Sequence, residues 1–340
     1  MRENWTNDAR NIKLSGEQVE SLVRMAIPGA TVDGFTYADG GLANTNICVR
    51  LSRAVQSVLL RLFVRDPAQA RKESKLYELI DGKVAAPRVH FFSPDNPISG
   101  HPFLIREWID GTRLETRVGN LSEEDSRSIG TAVGKALASI HAIKFAKAGF
   151  FNEALDIPEA IDLGADGLLA YSRSCLGDGI GRQRLGAKES DAVLAFLEFH
   201  ATLLNRWKGQ PCLSHSDFGS SNIIVRREPS GWQLAIIDWE FAFSGTPFFD
   251  IGNLLRPPLG IRQSFVDNFA DAYLKSGGSL PDEWRRISLL TDLTAWFEFL
   301  SRPNIDERVV SDARTVIQST MAAFSGRGAG VSRHHSRGSK

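Results

Sequence analysis

The sequence is poor in cysteine and has no excess of charge of either sign. Among its 340 residues there are three cysteines, Cys48, Cys175 and Cys212, which form no CxxC pair. This excludes a dense disulfide framework and is typical of a protein from a reducing cytosol. Forty Lys and Arg residues balance forty Asp and Glu residues. Dedicated nucleic-acid binders usually carry a basic excess, so we expect no nucleic-acid partner.

Long apolar runs and an export signal are also missing. No stretch approaches the ~18 uninterrupted apolar residues of a membrane-spanning helix. The first 14 residues are polar and contain no apolar segment typical of a signal peptide. We therefore expect a cytoplasmic protein without a membrane partner. Nothing in the sequence indicates its oligomeric state.

The pattern of apolar residues changes along the chain. Residues 31–110 mostly alternate as strands do, except for a helical spacing over Ala68–Ile80. From residue 121 the helical spacing dominates, interrupted by two short apolar runs near 222–225 and 234–237 that predict a hairpin. These patterns predict a sheet-containing lobe over 1–110 and a larger helical lobe over 111–324. Residues 1–14 and the Gly-, Ser- and Arg-rich tail 325–340 are expected to be disordered.

One segment has the residue types that phosphoryl transfer requires. Leu213–Ile224 contains His215, Asp217 and Asn222 in the order H-x-D-x-x-x-x-N, and Asp238 follows the next apolar run. A carboxylate at Asp217 can accept the proton of an attacking hydroxyl, whereas Asn222 and Asp238 offer the hard oxygen ligands that Mg²⁺ prefers. Asp or Asn alone is more typical of a simple turn. The combined spacing favours the catalytic interpretation.

The same segments resemble the aminoglycoside phosphotransferase family, which belongs to the wider protein-kinase-like fold and includes choline-kinase-like enzymes. That family typically has H-G-D-x-x-x-x-N followed by I-D-[FW]-E, and this chain has HSDFGSSN and IDWE, with Ser216 in place of the glycine. The resemblance implies an α+β, two-lobed fold. Its N-terminal lobe would be an antiparallel sheet with one helix, and its C-terminal lobe would be larger and mainly helical.

The resemblance also implies a set of nucleotide-binding residues. The segment ADGGLANTNICV, residues 38–49, is similar to the family's nucleotide loop, which assigns Gly40, Gly41 and Asn44 to the phosphates. Arg61, within the apolar run VLLRLF, would bind the phosphates and pair with Glu73 in the following helix. Many members of the family have Lys at this position. Arg presents a planar fork rather than a point charge, so the exchange is not a conservative one.

Other residues are assigned with less specific motifs. In the family, backbone groups of the hinge bind the adenine edge, which corresponds to the Glu107 carbonyl and the Ile109 amide. His215 and Asp250 are expected to support the catalytic loop. Glu240 either assists metal binding or lies on the surface, and both alternatives stay open.

His141 is expected to have a core or capping role. The segment GTAVGKA, residues 130–136, faintly resembles a phosphate-binding loop, but it has the wrong glycine spacing and lies within a helical pattern.

The acceptor is less clearly indicated than the reaction. Residues 150–213 contain nine acidic and six basic residues, and residues 240–310 contain ten and seven. An acidic excess favours a cationic acceptor, although surface helices often carry one for solubility. Asp292, Trp296 and Glu298 are candidate acceptor-binding residues, because a carboxylate and an aromatic ring together hold an ammonium group. The alternative is a Trp296 that packs in the core.

We therefore expect an enzyme that uses Mg²⁺ and ATP, with GTP not excluded, to phosphorylate an alcohol group of a small molecule. An aminoglycoside-like antibiotic is one candidate acceptor, and choline, homoserine or a sugar is another. The alternative of a different class is a pseudokinase-type binding protein without turnover. The presence of Asp217, Asn222, Asp238 and Glu73 argues against that alternative.

Overall fold

The computed structural model describes residues 12–38, 44–52, 57–64, 66–229 and 231–325. The chain divides into two compact units. The first consists of Met1–Leu163 and Arg206–Asp282, and the second of Gly164–Asn205 and Glu283–Lys340. The division predicted near residue 110 lies inside the first unit. No helix in the described ranges is long and apolar enough to cross a membrane.

The first unit begins with an antiparallel five-stranded sheet in the order β1-β2-β3-β5-β4. Its strands are β1 Val32–Tyr37, β2 Thr45–Leu51, β3 Val58–Leu62, β4 Val89–Ser93 and β5 Phe103–Glu107. Alternation along β2, β3 and β5 sends one set of side chains to each face. The face that carries Ile47, Leu60 and Ile105 forms an apolar core, so Asn46, Arg61 and Arg106, which alternate with these residues, face the opposite side.

A helix that the sequence patterns did not single out covers the apolar face of this sheet. Helix α1, Gly16–Ala26, begins at Ser15, whose side chain and that of Gln18 form a capping box. Val19, Leu22 and Val23 are fully buried against the sheet core. The predicted disorder over 1–14 does not extend to Leu14, which is buried and donates its N–H to the Tyr37 hydroxyl at 2.8 Å. Residues 1–11 lie outside the described ranges.

The opposite face of the sheet lies near helix α2, Ala68–Ile80, whose bounds match the prediction. Glu73, Leu76 and Tyr77 of this helix are buried. Arg61 of β3 and Arg106 of β5 are buried as well, and both occupy positions that alternate with the apolar core residues. The α2 side of the sheet is therefore a buried surface that carries charge.

The rest of the first unit combines three helices with five short strands. The helices are α3 Glu123–His141, α7 Pro247–Leu254 and α8 Gln263–Lys275. The strands are β6 Thr112–Arg113, β7 Cys212–Ser214, β8 Ile223–Glu228, β9 Gly231–Ile236 and β10 Phe243–Gly245. β6, β8 and β9 form one antiparallel sheet and β7 pairs with β10. The predicted hairpin is β8–β9, and the Ser122 side chain caps α3 by accepting the Asp125 N–H.

Two glycines of the loop-like segment GTAVGKA lie in the middle of α3, where it packs on α8. A Cβ atom at Gly130 would lie 2.5 Å from the Phe265 carbonyl oxygen. One at Gly134 would lie 2.4 Å from the Phe269 carbonyl oxygen. Real Cβ atoms do not approach backbone so closely, so these glycines serve helix packing. The structure thus agrees with the rejection of a phosphate-binding loop at this place.

The second unit is helical. Its helices are α4 Ala165–Leu176, α5 Gly179–Leu185, α6 Ala187–His200, α9 Trp284–Ser301 and α10 Glu307–Ser325. Leu176, Leu197, Leu293 and Phe297 are among the fully buried residues of their common core. Ser325, the first residue of the tail predicted over 325–340, belongs to α10. The remaining residues of the tail lie outside the described ranges.

Candidate active site

The loop after β7 holds Asp217 in a fixed orientation. The short 3₁₀ turn Ser220–Asn222 returns the chain, so that the Asn222 amide nitrogen lies 2.8 Å from a carboxylate oxygen of Asp217. The same nitrogen donates to the Asp217 carbonyl oxygen, also at 2.8 Å. Both residues are buried. Because the amide nitrogen is used in this way, the carboxamide oxygen of Asn222 is the atom left to act as a ligand.

The β8–β9 hairpin brings Asn222 and Asp238 to one end of the same sheet. Ile223 pairs with Ile236, and the Asn222 carbonyl oxygen accepts a hydrogen bond from the Ile237 N–H at 3.0 Å. Asp238 follows directly, in a left-handed backbone conformation with φ of 69°. An aspartate tolerates this region better than most residues. The two predicted metal ligands thus project from adjacent chain segments.

His215 connects the Asp217 loop to the segment that carries Asp238. Its Nδ1 accepts a hydrogen bond from the Asp217 N–H at 3.3 Å, so the ring proton is placed on Nε2. Nε2 lies 3.0 Å from the Ile237 carbonyl oxygen, to which it donates. The ring also packs against Trp239, with centroids 4.7 Å apart. The histidine of the motif therefore ties the Asp217 loop to the segment that carries Asp238.

The buried carboxylate of Asp250 supports the loop that carries Asp217. Asp250 in α7 accepts the N–H of His215 at 2.9 Å and the N–H of Ser216 at 2.7 Å. Nε2 of His141 lies 3.0 Å from the same carboxylate, and its Nδ1 lies 2.8 Å from the Tyr273 hydroxyl. Burial raises the pKa of Tyr273, which keeps this hydroxyl protonated as a donor. The buried carboxylate of Asp250 thus accepts from three donors at once.

Ser216 occupies a position that glycine would take more easily. Its φ is 67°, in the left-handed region that is unfavourable for residues with a Cβ atom. The Ser216 N–H bond to Asp250 holds the residue in this conformation. The serine in place of the family's glycine is therefore tolerated at an energetic cost.

We expect Ser216→Gly to stabilise the protein by about 0.5–1 kcal/mol, because the relieved strain exceeds the entropy that glycine loses on folding. Thermal unfolding should show the midpoint rise by roughly 1 °C. Ser221→Gly is the matched control, because Ser221 lies in a 3₁₀ turn with ordinary backbone angles and its replacement should lower the midpoint. Equal losses in both variants would contradict this interpretation of Ser216.

Three carboxylates converge on Arg61. Nη1 lies 3.2 Å from Asp238 Oδ1, and Nη2 lies 3.2 Å from Glu240 Oε2 and 3.1 Å from Glu73 Oε2. The contact with Glu73 is an ion pair without hydrogen-bond geometry, since neither oxygen of Glu73 has a hydrogen-bond partner among the described residues. Arg61 itself is almost fully buried. The structure thus brings Arg61 and Glu73 together, as predicted, and adds Glu240.

The clustered charges shift the protonation of several groups. Burial opposes the charged guanidinium, but Glu73, Asp238 and Glu240 raise the pKa of Arg61. Burial also raises the pKa of Glu73, although Arg61 lowers it. Burial and the nearby Asp238 raise the pKa of Glu240 to about 7. The site therefore holds an arginine that stays charged beside carboxylates that repel one another.

Two further cations belong to this surface and were not singled out in the sequence. Lys72, which precedes Glu73 in α2, donates from Nζ to the Glu240 carbonyl oxygen at 2.7 Å. Arg106 is buried on β5, and its Nε has no acceptor among the described residues. The sequence does contain an indication that Arg106 is a buried charge. This residue lies within the apolar run FLIRE, just as Arg61 lies within VLLRLF.

Three of the remaining predicted nucleotide-binding residues, Asn44, Glu107 and Ile109, lie at or near the ends of strands β2 and β5. Asn44 is buried immediately before β2, and its Oδ1 has no partner in the described part of the chain. Gly40 and Gly41 lie outside the described residues. β5 ends at Glu107, and Ile109 follows in a segment without regular structure. This arrangement is compatible with a hinge at these residues, which stays a prediction.

The candidate acceptor residues lie in the second unit. Trp296 is buried in its hydrophobic core and donates from Nε1 to the Asp292 carboxylate at 3.2 Å. Glu298 lies on the surface, 2.8 Å from Arg173 and 2.7 Å from Arg302. The three side chains therefore do not form one cluster. The placement of Trp296 favours the alternative in which it packs the core.

Comparison with known proteins identifies the fold. The sequence profile of the phosphotransferase enzyme family, APH, matches residues 35–290. No curated protein sequence matches the chain. The GDP and kanamycin complex of APH(2″)-IIIa has a similar structure, with a TM-score of 0.67, 16% identity and coverage of 90% of this chain and 98% of that one.

Two other solved structures are similar to this chain over most of its length. The streptomycin–ATP–APH(2″)-IIa ternary complex has a TM-score of 0.59 and 18% identity, covering 92% of this chain and 99% of that one. A thermostable mutant of APH(4)-Ia in ternary complex with AMP-PNP and hygromycin B has a TM-score of 0.63 and 17% identity, with coverage of 91% and 99%. The fold is thus the α+β, protein-kinase-like fold that the motifs imply. Since the family profile matches most of the sequence, the chain belongs to the phosphotransferase enzyme family.

Proposed function

We propose that this chain is a kinase that transfers the γ-phosphate of ATP to a hydroxyl group of a small molecule. The proposal rests on one observation, a set of four residues that are connected by hydrogen bonds and an ion pair. Asp217 is hydrogen-bonded to Asn222, Asn222 is joined through its backbone to the segment of Asp238, and Asp238 is paired with Arg61. These residues are up to 177 positions apart in sequence. The set contains a base, two oxygen ligands and a phosphate-binding cation.

The side chains present fit a magnesium ion. Asn222 has only its carboxamide oxygen left to offer, and the Asp238 side chain is about one-third exposed (34%), so that solvent or a ligand reaches it. Both are hard oxygen donors of the kind that Mg²⁺ takes. No group of three or more His, Cys, Asp or Glu able to hold a metal occurs in the described ranges. Mg²⁺ binds few protein ligands and keeps its waters and phosphate oxygens.

Each residue then has a defined task. The Asp217 carboxylate accepts the proton of the acceptor hydroxyl, and its bond to Asn222 fixes the direction in which it accepts. The guanidinium of Arg61 stabilises negative charge on the nucleotide phosphates. Mg²⁺, when bound, neutralises the charge that develops on the phosphate oxygens. Catalysis then depends mainly on positioning and electrostatics, because the transition state of phosphoryl transfer is loose.

The acceptor is proposed to be an aminoglycoside-like antibiotic. The support is the likeness in fold to proteins solved with kanamycin, streptomycin and hygromycin B, together with the acidic excess over 150–213 and 240–310. Metabolic alcohols such as choline, homoserine or a sugar are the alternative acceptors. A binding protein without turnover is the alternative of another class, and the complete constellation around Asp217 argues against it.

The test is ADP release from Mg·ATP in the presence of a panel of alcohols. The panel contains aminoglycosides, choline, homoserine and simple sugars, with GTP supplied in a parallel series. We expect turnover with at least one aminoglycoside and a phosphorylated product detectable by mass spectrometry. Turnover with choline, homoserine or a sugar alone would replace the proposed acceptor. Binding of Mg·ATP without turnover of any acceptor would favour the binding protein, and absence of nucleotide binding would contradict the whole proposal.

A further inference from the structure

Two glutamates contact Nη2 of Arg61, and they do so with different geometry. Both glutamates approach Nη2, Glu73 at 3.1 Å and Glu240 at 3.2 Å. Only the contact with Glu240 has hydrogen-bond geometry. A charge attracts from any direction, whereas a hydrogen bond also fixes direction. The plane of the guanidinium is therefore defined by its bonds to Asp238 and Glu240.

The backbone of Glu240 is itself anchored. Lys72 donates to the Glu240 carbonyl oxygen at 2.7 Å, which ties the residue to helix α2. The preceding residue, Trp239, is fully buried and donates from Nε1 to the Ile236 carbonyl oxygen at 3.2 Å. The Glu240 side chain is 18% exposed. A carboxylate on such a fixed backbone is able to position its partner.

An arginine uses this arrangement in a way that a lysine does not. The two Nη atoms of Arg61 serve two different carboxylates, 3.2 Å from each. A lysine has one ammonium group and lacks the planar fork that spans both positions. Glu240 thus adds a further carboxylate beside residue 61. In this chain residue 61 is an arginine, whereas the resemblance implies lysine at this position in many members of the family.

We infer that Glu240 is a positioning residue, matched to Arg61, for binding the phosphates of the nucleotide. The inference rests on the proposed function. In the proposed nucleotide complex, Asp238 is a metal ligand. Nη1 of Arg61 then loses its contact with the Asp238 carboxylate and is free to donate to a phosphate oxygen. Glu240 keeps its bond to Nη2 and holds the guanidinium plane in place. Nucleotide binding then depends on Arg61 and Glu240 together and not on the charge of either residue alone.

The test is a double-mutant cycle of Arg61→Lys and Glu240→Ala, read by the Kd of Mg·ATP in titration calorimetry and by kcat and KM for ATP. We expect Glu240→Ala to weaken Mg·ATP binding ~10-fold, with kcat changing less than about threefold. In the Arg61→Lys background, Glu240→Ala should weaken Mg·ATP binding less than about threefold, because the guanidinium that Glu240 orients is already absent. Glu240→Gln should lie between wild type and Glu240→Ala, since its amide oxygen still accepts from Nη2.

The exposed pair of Arg226 and Glu228, 2.6 Å apart on β8, is the matched control. Arg226→Lys, Glu228→Ala and their combination should leave the Kd of Mg·ATP unchanged. Unchanged Mg·ATP binding in Glu240→Ala, or independent effects of the two site substitutions, would overturn the inference while leaving the proposed function intact. Failure of the wild type to bind Mg·ATP would instead remove the proposed function. If Glu240→Ala does not fold, the Kd of Glu240→Gln decides, with an unchanged value counting against the inference.

Discussion

Replacement of Asp217 by Asn is expected to lower kcat by about 10²–10⁴-fold, the usual contribution of a general base. Asn is nearly isosteric, and its side-chain oxygen still accepts the bond from Asn222, so the loop should keep its structure. It cannot, however, take the proton of the acceptor hydroxyl. The measurement is steady-state ADP release with the best acceptor of the panel, together with calorimetric titration of Mg·ATP.

The Kd of Mg·ATP should change less than about threefold in Asp217→Asn, because the residue contacts the acceptor rather than the phosphates in the proposed reaction. Asp156→Asn is a suitable control, since Asp156 is an exposed aspartate of the same unit and should leave kcat unchanged. A fully active Asp217→Asn enzyme would contradict the assignment of this residue as the base. Loss of nucleotide binding would indicate a structural role instead.

Replacement of Asp250 by Asn is expected to destabilise the protein by about 3 kcal/mol or more. The carboxylate accepts the N–H groups of His215 and Ser216 and contacts His141, and none of its oxygens reaches solvent. An amide at this place puts its NH₂ group against one of these donors and leaves that donor buried without an acceptor. Thermal unfolding should show a midpoint lowered by roughly 4 °C or more.

Asp271→Asn provides the comparison for Asp250→Asn. Asp271 is exposed in α8 and forms an i,i+4 pair with Lys275 at 2.8 Å. Such surface pairs contribute ~0.5 kcal/mol or less, so the midpoint should hardly move. An unfolding midpoint of Asp250→Asn close to that of the wild type would show that water replaces the carboxylate at no cost, and the support assigned to Asp250 would be wrong.

The sequence could predict those parts of the site that lie close together along the chain. Asp217 and Asn222 are five residues apart, and one short turn brings their side chains within hydrogen-bond distance. The helix over Ala68–Ile80 has a clear periodic spacing that agrees with its packing, and its bounds are confirmed. In these places local preference and tertiary packing favour the same structure.

Contacts between distant segments could not be predicted in the same way. Glu240 and Arg61 are 179 residues apart, and a glutamate two residues after Asp238 gives no indication of its partner. Helix α1 was overlooked although Ser15 and Gln18 have the spacing of a capping box. The apolar pattern of this helix is short and follows a polar N-terminal segment. Its place on the sheet depends on apolar residues of β2, β3 and β5 far along the chain.

The candidate acceptor residues show how one spacing supports two interpretations. Asp292 and Trp296 are four residues apart, so they share a helix face whether that face binds a ligand or packs a core. The structure shows Trp296 buried and hydrogen-bonded to Asp292. Sequence spacing gives the relative direction of two side chains but not what surrounds them.

The close contact between α3 and α8 also affects how mutational surveys of this protein are interpreted. Gly130 and Gly134 have no room for a methyl group, since the carbonyl oxygens of Phe265 and Phe269 occupy that space. A saturation screen for activity would score both glycines as intolerant, alongside residues such as Asp217. Intolerance in such a screen therefore does not locate the catalytic machinery by itself. A screen that reports protein abundance separately from turnover would distinguish the two groups.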